Sequence, residues 1–181
     1  MPKNIKFLTI LIIGIISLSS SAHAAVDSEV SYILNTLLFL ISGFLVMWMA
    51  AGFAMLESGL VTSKSVATIA AKNIGLYSIA GLMFWLIGYN LAYGIPEGGF
   101  IGNFLPWSDA SSIETGYSDG SDWFFQMVFC ATTCSIVSGT MAERIKIWPF
   151  FLFCAILAGI IYPIEMGWQW GGGHLAEAGF S

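Results

Sequence analysis

Four aromatic side chains carry the chemistry that this sequence has to offer. Phe125 and Phe129 lie four residues apart, hence on one helical face, inside a run free of formal charge from Trp123 to Ala142. Trp168 and Trp170 close the next apolar run. A tryptophan face at an entrance can hold a cation through its ring quadrupole for about 1–2 kcal/mol. A phenylalanine pair beyond it readily admits only a small neutral species. Moving a small cation into a medium of dielectric about 4 has an idealised cost on the order of 20 kcal/mol, and no carboxylate is expected deep in a span to offset it. Aromatic capture followed by an apolar constriction therefore suits a guest that arrives protonated and sheds its proton. Taken singly, each ring is more ordinarily packing or an interfacial anchor.

Other chemistries lack their residues. The sequence has no Ser-His-Asp set, no carboxylates paired at helical spacing, no glycine-rich phosphate loop and no metal-ligand cluster. Its two histidines are His23, near the N-terminus, and His174, beside glycines. An enzyme is not expected, nor a cofactor or metal. Cys130, Cys134 and Cys154 are odd in number and fall inside apolar runs, so they read as packed helix residues. Nucleic acid is excluded as a partner because the net charge is -5 and no basic face is present.

The elements that must position these rings are membrane spans. Hydrophobic residues make up 57% of the chain and charged ones 9%, against about 25% charged in soluble domains. Residues 1–24 combine Lys3 and Lys6, a short apolar run and Ala22-His23-Ala24, and read as a signal peptide cleaved before Ala25. The fold class expected is all-α and polytopic, with spans at about 31–57, 63–95, 123–142 and 147–166 and an acidic loop over 97–122. Glu57-Ser58-Gly59 is expected to end the first span. Lys64, Lys72, Arg144 and Lys146 gather after spans one and three, which places that side in the cytoplasm and the N-terminus outside. Lys72 is expected to snorkel to the cytoplasmic headgroups, and Asn73 is a candidate for a hydrogen bond between helices. On span three, Ala131, Ser135 and Gly139, with Cys130, Cys134 and Ser138 beside them, form a small-residue face for close helix packing. Thr132 and Thr133 add hydroxyls to the side that carries the two phenylalanines. A fifth apolar run is expected to follow Ser181.

Three segments carry a family resemblance: GFAMLESGLVTSKSVATIAAKNI, FFQMVFCATTCSIVSGTMAERIKI and YPIEMGWQWGGG. In this order and spacing they resemble the ammonium transporter (Amt/Mep/Rh) family, over about Ser31 to Ser181. The resemblance implies the N-terminal portion of an eleven-helix, homotrimeric pore protein of the plasma (inner) membrane that conducts ammonium or ammonia, with a cytoplasmic regulatory protein as a possible partner beside the lipid bilayer. By motif position, Trp170 corresponds to the aromatic recruitment residue, Phe129 to the phenylalanine shared by mouth and gate, and Phe125, with Gln126 next to it, to a wall of the vestibule. The family's second gate phenylalanine, recruitment-site hydroxyl and pore histidines belong to later helices, and its aspartate after Trp-Gly-Gly-Gly is not reached by Ser181. A membrane sensor on the same scaffold, or a non-conducting scaffold subunit, are the alternative readings.

Overall fold

The structure, a computed structural model, describes residues 27–179; the leader expected over 1–24 lies outside them. The described residues hold helices and no strand, and four of the helices are long and apolar enough to cross a membrane. Helix α1 is Ser28–Leu60, α2 is Val66–Tyr93 and α3 is Asp119–Met141. Helix α4 starts at Ile147 and runs through Gln169, and the short α5 is His174–Glu177. Two ends can be told apart. The turn end holds the tight connections after α1 and α3, and the loop end holds the start of α1, the segment 94–118 and the glycine-rich segment after α4.

The buried core belongs to α2, α3 and α4, with Leu76, Phe84, Cys130, Ala131, Cys134, Phe150, Cys154 and Ala158 packed together. Most of the predicted small-residue face of α3 is thus in the core, although Gly139 is exposed. All three cysteines are free and buried, as their setting in apolar runs suggested. Helix α1 lies mainly along α3, and Gly43 makes room there, since a Cβ on it would fall 2.7 Å from the Phe124 ring. The opposite side of α1 presents Leu34, Leu38, Leu45 and Trp48, exposed apolar residues suited to lipid or to further helices.

Helices α2 and α4 each contain one π-helical turn, Phe84–Gly88 and Leu157–Ile161. In α4 the cause is Pro163, which has no N–H to return to the Gly159 carbonyl, so the turn before it widens. The two wide turns pack together through glycine. A Cβ on Gly88 would meet both the Ala158 carbonyl and Pro163 at 3.1 Å, and one on Gly159 would meet Met83 at 2.8 Å. Carbonyls near these turns find other donors: Trp85 O accepts the Trp107 N–H at 2.8 Å, and Ala158 O accepts the Cys130 thiol at 3.4 Å. The first of these bonds fastens the long segment 94–118 to α2, and Asn90 holds it again at the Leu105 and Pro106 carbonyls.

Several boundaries differ from expectation. Helix α1 continues through Gly59 to Leu60, because Gly59 keeps helical geometry and Val61 breaks it by going extended. Helix α3 begins at Asp119, inside the expected acidic loop, with Asp119 and Asp122 in its first turn, where the helix dipole favours acids. Helix α4 outlasts its expected end at 166 by three residues.

The turn end is closed by Glu143, which has φ 60, a left-handed conformation more usual for a helix-terminating glycine. Its carboxylate accepts the Thr62 hydroxyl at 2.6 Å and the Thr62 N–H at 3.1 Å, tying the α3–α4 turn to the α1–α2 turn. The Thr62 hydroxyl, then Ser65 and the Thr62 N–H, hold the Glu143 carboxyl below its ordinary value of 4.5. A lowered folded-state pKa stabilises above the ordinary value and is lost as pH falls through the folded one. Acidification from 4.5 downward should therefore speed hydrogen exchange in the 61–65 turn after correction for intrinsic rates. In Thr62→Val most of that acid-dependent opening should be present already at neutral pH, and equal profiles for the two proteins would refute the clamp.

Candidate functional site

Three helices and one loop bring a row of rings together. Phe125 and Phe129, one turn apart on α3, meet edge to face with centroids 5.1 Å apart. Phe129 meets Trp170 in the same way at 5.6 Å. On the other side Phe125 touches Phe39 of α1 at 5.4 Å, and Phe39 meets Tyr117 edge-on at 4.9 Å. The column therefore bends: it runs Trp170, Phe129, Phe125, Phe39, Tyr117, with both ends at the loop end and Phe129 its deepest ring. Three of the four aromatic candidates, Phe125, Phe129 and Trp170, lie in it. Trp170 is 52% exposed, so one ring is open at the loop end, while the phenylalanines are half-buried. Such edge-to-face pairs contribute about 0.5–1.5 kcal/mol each beyond area burial, enough to hold the rings in register.

Trp170 owes its position to glycine. A Cβ on Gly171 would fall on the Ala92 carbonyl, and Gly173 donates its N–H back to Gly167 O at 3.1 Å, so α4 must stop and fold against α2 immediately after Trp170. Trp168 takes a different role from its neighbour. Its indole N–H donates to the Phe100 carbonyl at 2.8 Å and its ring meets His174, which stacks on Phe100 at 4.2 Å. Trp168 and His174 thus anchor loops and stand outside the column.

The polar groups nearby are largely committed. Thr132 and Thr133, expected to line the aromatic side with hydroxyls, donate to the Val128 and Phe129 carbonyls of their own helix at 2.8 and 3.2 Å. Gln126 is buried and donates to Asp122 at 3.2 Å rather than joining the column. Asp122, expected in a solvated loop, is buried and accepts the Tyr89 hydroxyl at 2.6 Å. Burial first, then the Asp122 and Asp119 carboxylates, push the Tyr117 phenol up, so this ring, at the loop end like Trp170, keeps its proton.

The largest departure is at the turn end. Lys72 does not snorkel: it is 4% exposed, with Nζ 3.0 Å from Glu57 Oε2 and 2.9 Å from the Ser138 carbonyl. Glu57, expected at a helix end, is 2% exposed. The pair joins α1, α2 and α3, because a lysine six residues inside α2 finds a carboxylate on α1 closer than any headgroup. Asn73, beside it, donates to Ile69 O of its own helix at 3.0 Å and, among the described residues, makes no hydrogen bond to a neighbouring helix. Sequence reasoning missed Glu57, Phe39 and Tyr117 as partners. Opposite charges in consecutive spans were the available signal for the ion pair, whereas nothing marked Phe39 among the apolar residues of α1.

Four apolar spans and a row of rings open at one end define a multi-pass membrane protein with an uncharged aromatic site. Residues 37–181 match the model of the Ammonium Transporter Family, and the chain belongs to that family. It is 42% identical over 146 residues to Ammonium transporter Amt2 of Archaeoglobus fulgidus, covering 78% of this chain and 30% of that protein. Among solved structures it resembles a Sensor Amt Protein with TM-score 0.71 and 31% identity, over 79% of this chain and 37% of the other. Candida albicans Mep2, at TM-score 0.70 and 22% identity over 84% and 35%, shares the fold. The chain spans about a third of the length of the curated relatives it matches.

Proposed function

We propose that this chain is the N-terminal part of a transporter that takes ammonium at the loop end and passes it inward as ammonia. The contact of Trp170 with Phe129, which lies one turn deeper on α3 than Phe125, carries this reading, because it joins an exposed ring able to attract a cation to half-buried rings that favour a neutral guest. Trp170 and Phe129 bind the substrate, and Phe129 with Phe125 forms the gate. The loop end faces outward with the N-terminus, since Lys64, Arg144 and Lys146 lie at the other end. The setting is the plasma (inner) membrane, after removal of residues 1–24, with nitrogen uptake as the physiological role. Assembly is as a homotrimer, and the basic turn end offers a surface for a cytoplasmic regulatory protein.

The test is uptake of labelled ammonium into vesicles carrying the full-length protein. Saturable uptake that survives replacing the outer potassium gradient by sodium is expected. No flux above empty vesicles would overturn the reading. The likeness to a structure titled Sensor Amt Protein favours a second reading, in which the same scaffold senses ammonium for a signalling domain. Binding without flux would select it.

A further inference from the structure

The buried ion pair does not balance its own hydrogen bonds. Lysine has three N–H donors, and those of Lys72 are placed on Glu57 Oε2, on the Ser138 carbonyl and over the Phe150 ring, whose centroid is 5.0 Å from Nζ. Glu57 is half committed. Its Oε2 takes both Lys72 and the Ser138 hydroxyl, the latter at 2.9 Å, while its buried Oε1 has no partner among the described residues. A buried acceptor left without a donor is costly, so this arrangement suits one more donor.

The chemistry of that donor follows from the surroundings. Glu57 borders a cleft of about 420 Å³ whose walls include Phe53, Leu56, Ile136, Gly139 and Thr140. The walls continue the faces that carry the rings: Ile136 and Thr140 follow Phe129 by seven and eleven residues on α3, and Glu57 follows Phe39 by eighteen on α1. A guest leaving the column along these two faces therefore reaches Glu57. Glu143 and Arg144 stand at the cleft's rim, of opposite charge, and Lys72 cancels the charge of Glu57. The acceptor therefore sits in a nearly neutral site, where a second cation would meet Lys72 and a neutral N–H or O–H donor would not.

We propose that Glu57 Oε1 is the acceptor of a binding site for a small neutral hydrogen-bond donor, ammonia or water, at the turn end of the bundle. The choice of ammonia rests on the transport reading; the unmet acceptor does not. The site keeps a neutral guest hydrogen-bonded where the apolar walls end.

Difference infrared spectroscopy of the full-length protein in lipid discs at alkaline pH tests this. The Glu57 carboxylate band is assigned by its loss in Glu57→Gln/Lys72→Met, or, if that variant does not fold, by carbon-13 labelling of the glutamate at position 57 alone. The band should shift on adding ammonia and stay in place with trimethylamine, which has no N–H when neutral, and with potassium chloride. No response to ammonia, together with an O–H stretching band that shifts in oxygen-18 water and is absent from Glu57→Gln/Lys72→Met, would support the donor site and assign its occupant as water. A carboxylate band unmoved by ammonia with no such water band, or one moved by potassium, would overturn the proposal. Uptake measured on the same preparation separates the two readings: flux with a silent band sinks this site alone, and a responsive band without flux sinks transport alone.

Discussion

Replacing Lys72 with methionine should destabilise the protein by about 3–5 kcal/mol, the usual cost of removing one partner from a buried pair. The reason lies in what remains. Glu57, 2% exposed, would keep only the Ser138 hydroxyl, and a carboxylate in that position must either stay charged in a poor medium or take up a proton. Glu57→Gln leaves the lysine stranded in the same way, with the Ser138 carbonyl and the Phe150 face as its remaining partners. The double change Glu57→Gln/Lys72→Met leaves a neutral amide and an apolar chain of similar length, and should recover most of the loss. Thermal midpoints of the detergent-purified full-length protein check the set. A positive coupling in the double-mutant cycle is the expected signature. Additive losses, or a Lys72→Met protein as stable as the parent, would show that the pair does not hold the three helices together.

This pair also marks where the sequence stopped being readable. Span count and the aromatic face were legible because each depends on one helix: charge-free length gives the span, and the spacing of Phe125 and Phe129 gives the face. The position of Lys72 is not legible in the same way, because snorkelling depends on one helix and its nearest interface, whereas its actual partner sits on another helix. The acidic composition of 97–122 points to a loop for Asp119 and Asp122, although the same residues suit a helix N-terminus, and one of them is buried against Tyr89. Phe39 enters the column only through the register of α1 on α3, which depends on packing at positions such as Gly43 and leaves no periodic signal in α1. Gly88 and Gly159 are a related case. Each is ordinary within its own helix and needed only because two widened turns meet.

Trp170→Ala should raise the ammonium concentration for half-maximal uptake by about 5- to 30-fold, the equivalent of a lost cation–π contact of about 1–2 kcal/mol. The maximal rate should change little, because Trp170 lies at the exposed end of the column and Phe129 still stands behind it. Alanine alone would leave the cause open, since it removes packing on Phe129 together with the quadrupole. Leucine separates the two: Trp170→Leu keeps apolar contact with the Phe129 ring but has no π face for a cation. If capture by the ring operates, leucine should behave like alanine, and Trp170→Phe should fall between them and the parent because the tryptophan face binds cations best. The substitutions should fold normally, as a side chain 52% exposed supports little of the core. Uptake curves for the full-length protein in which leucine matches tryptophan would make Trp170 a packing residue and move the recognition step elsewhere. Curves in which all three substitutions lower only the maximal rate would place Trp170 in the gate with Phe129.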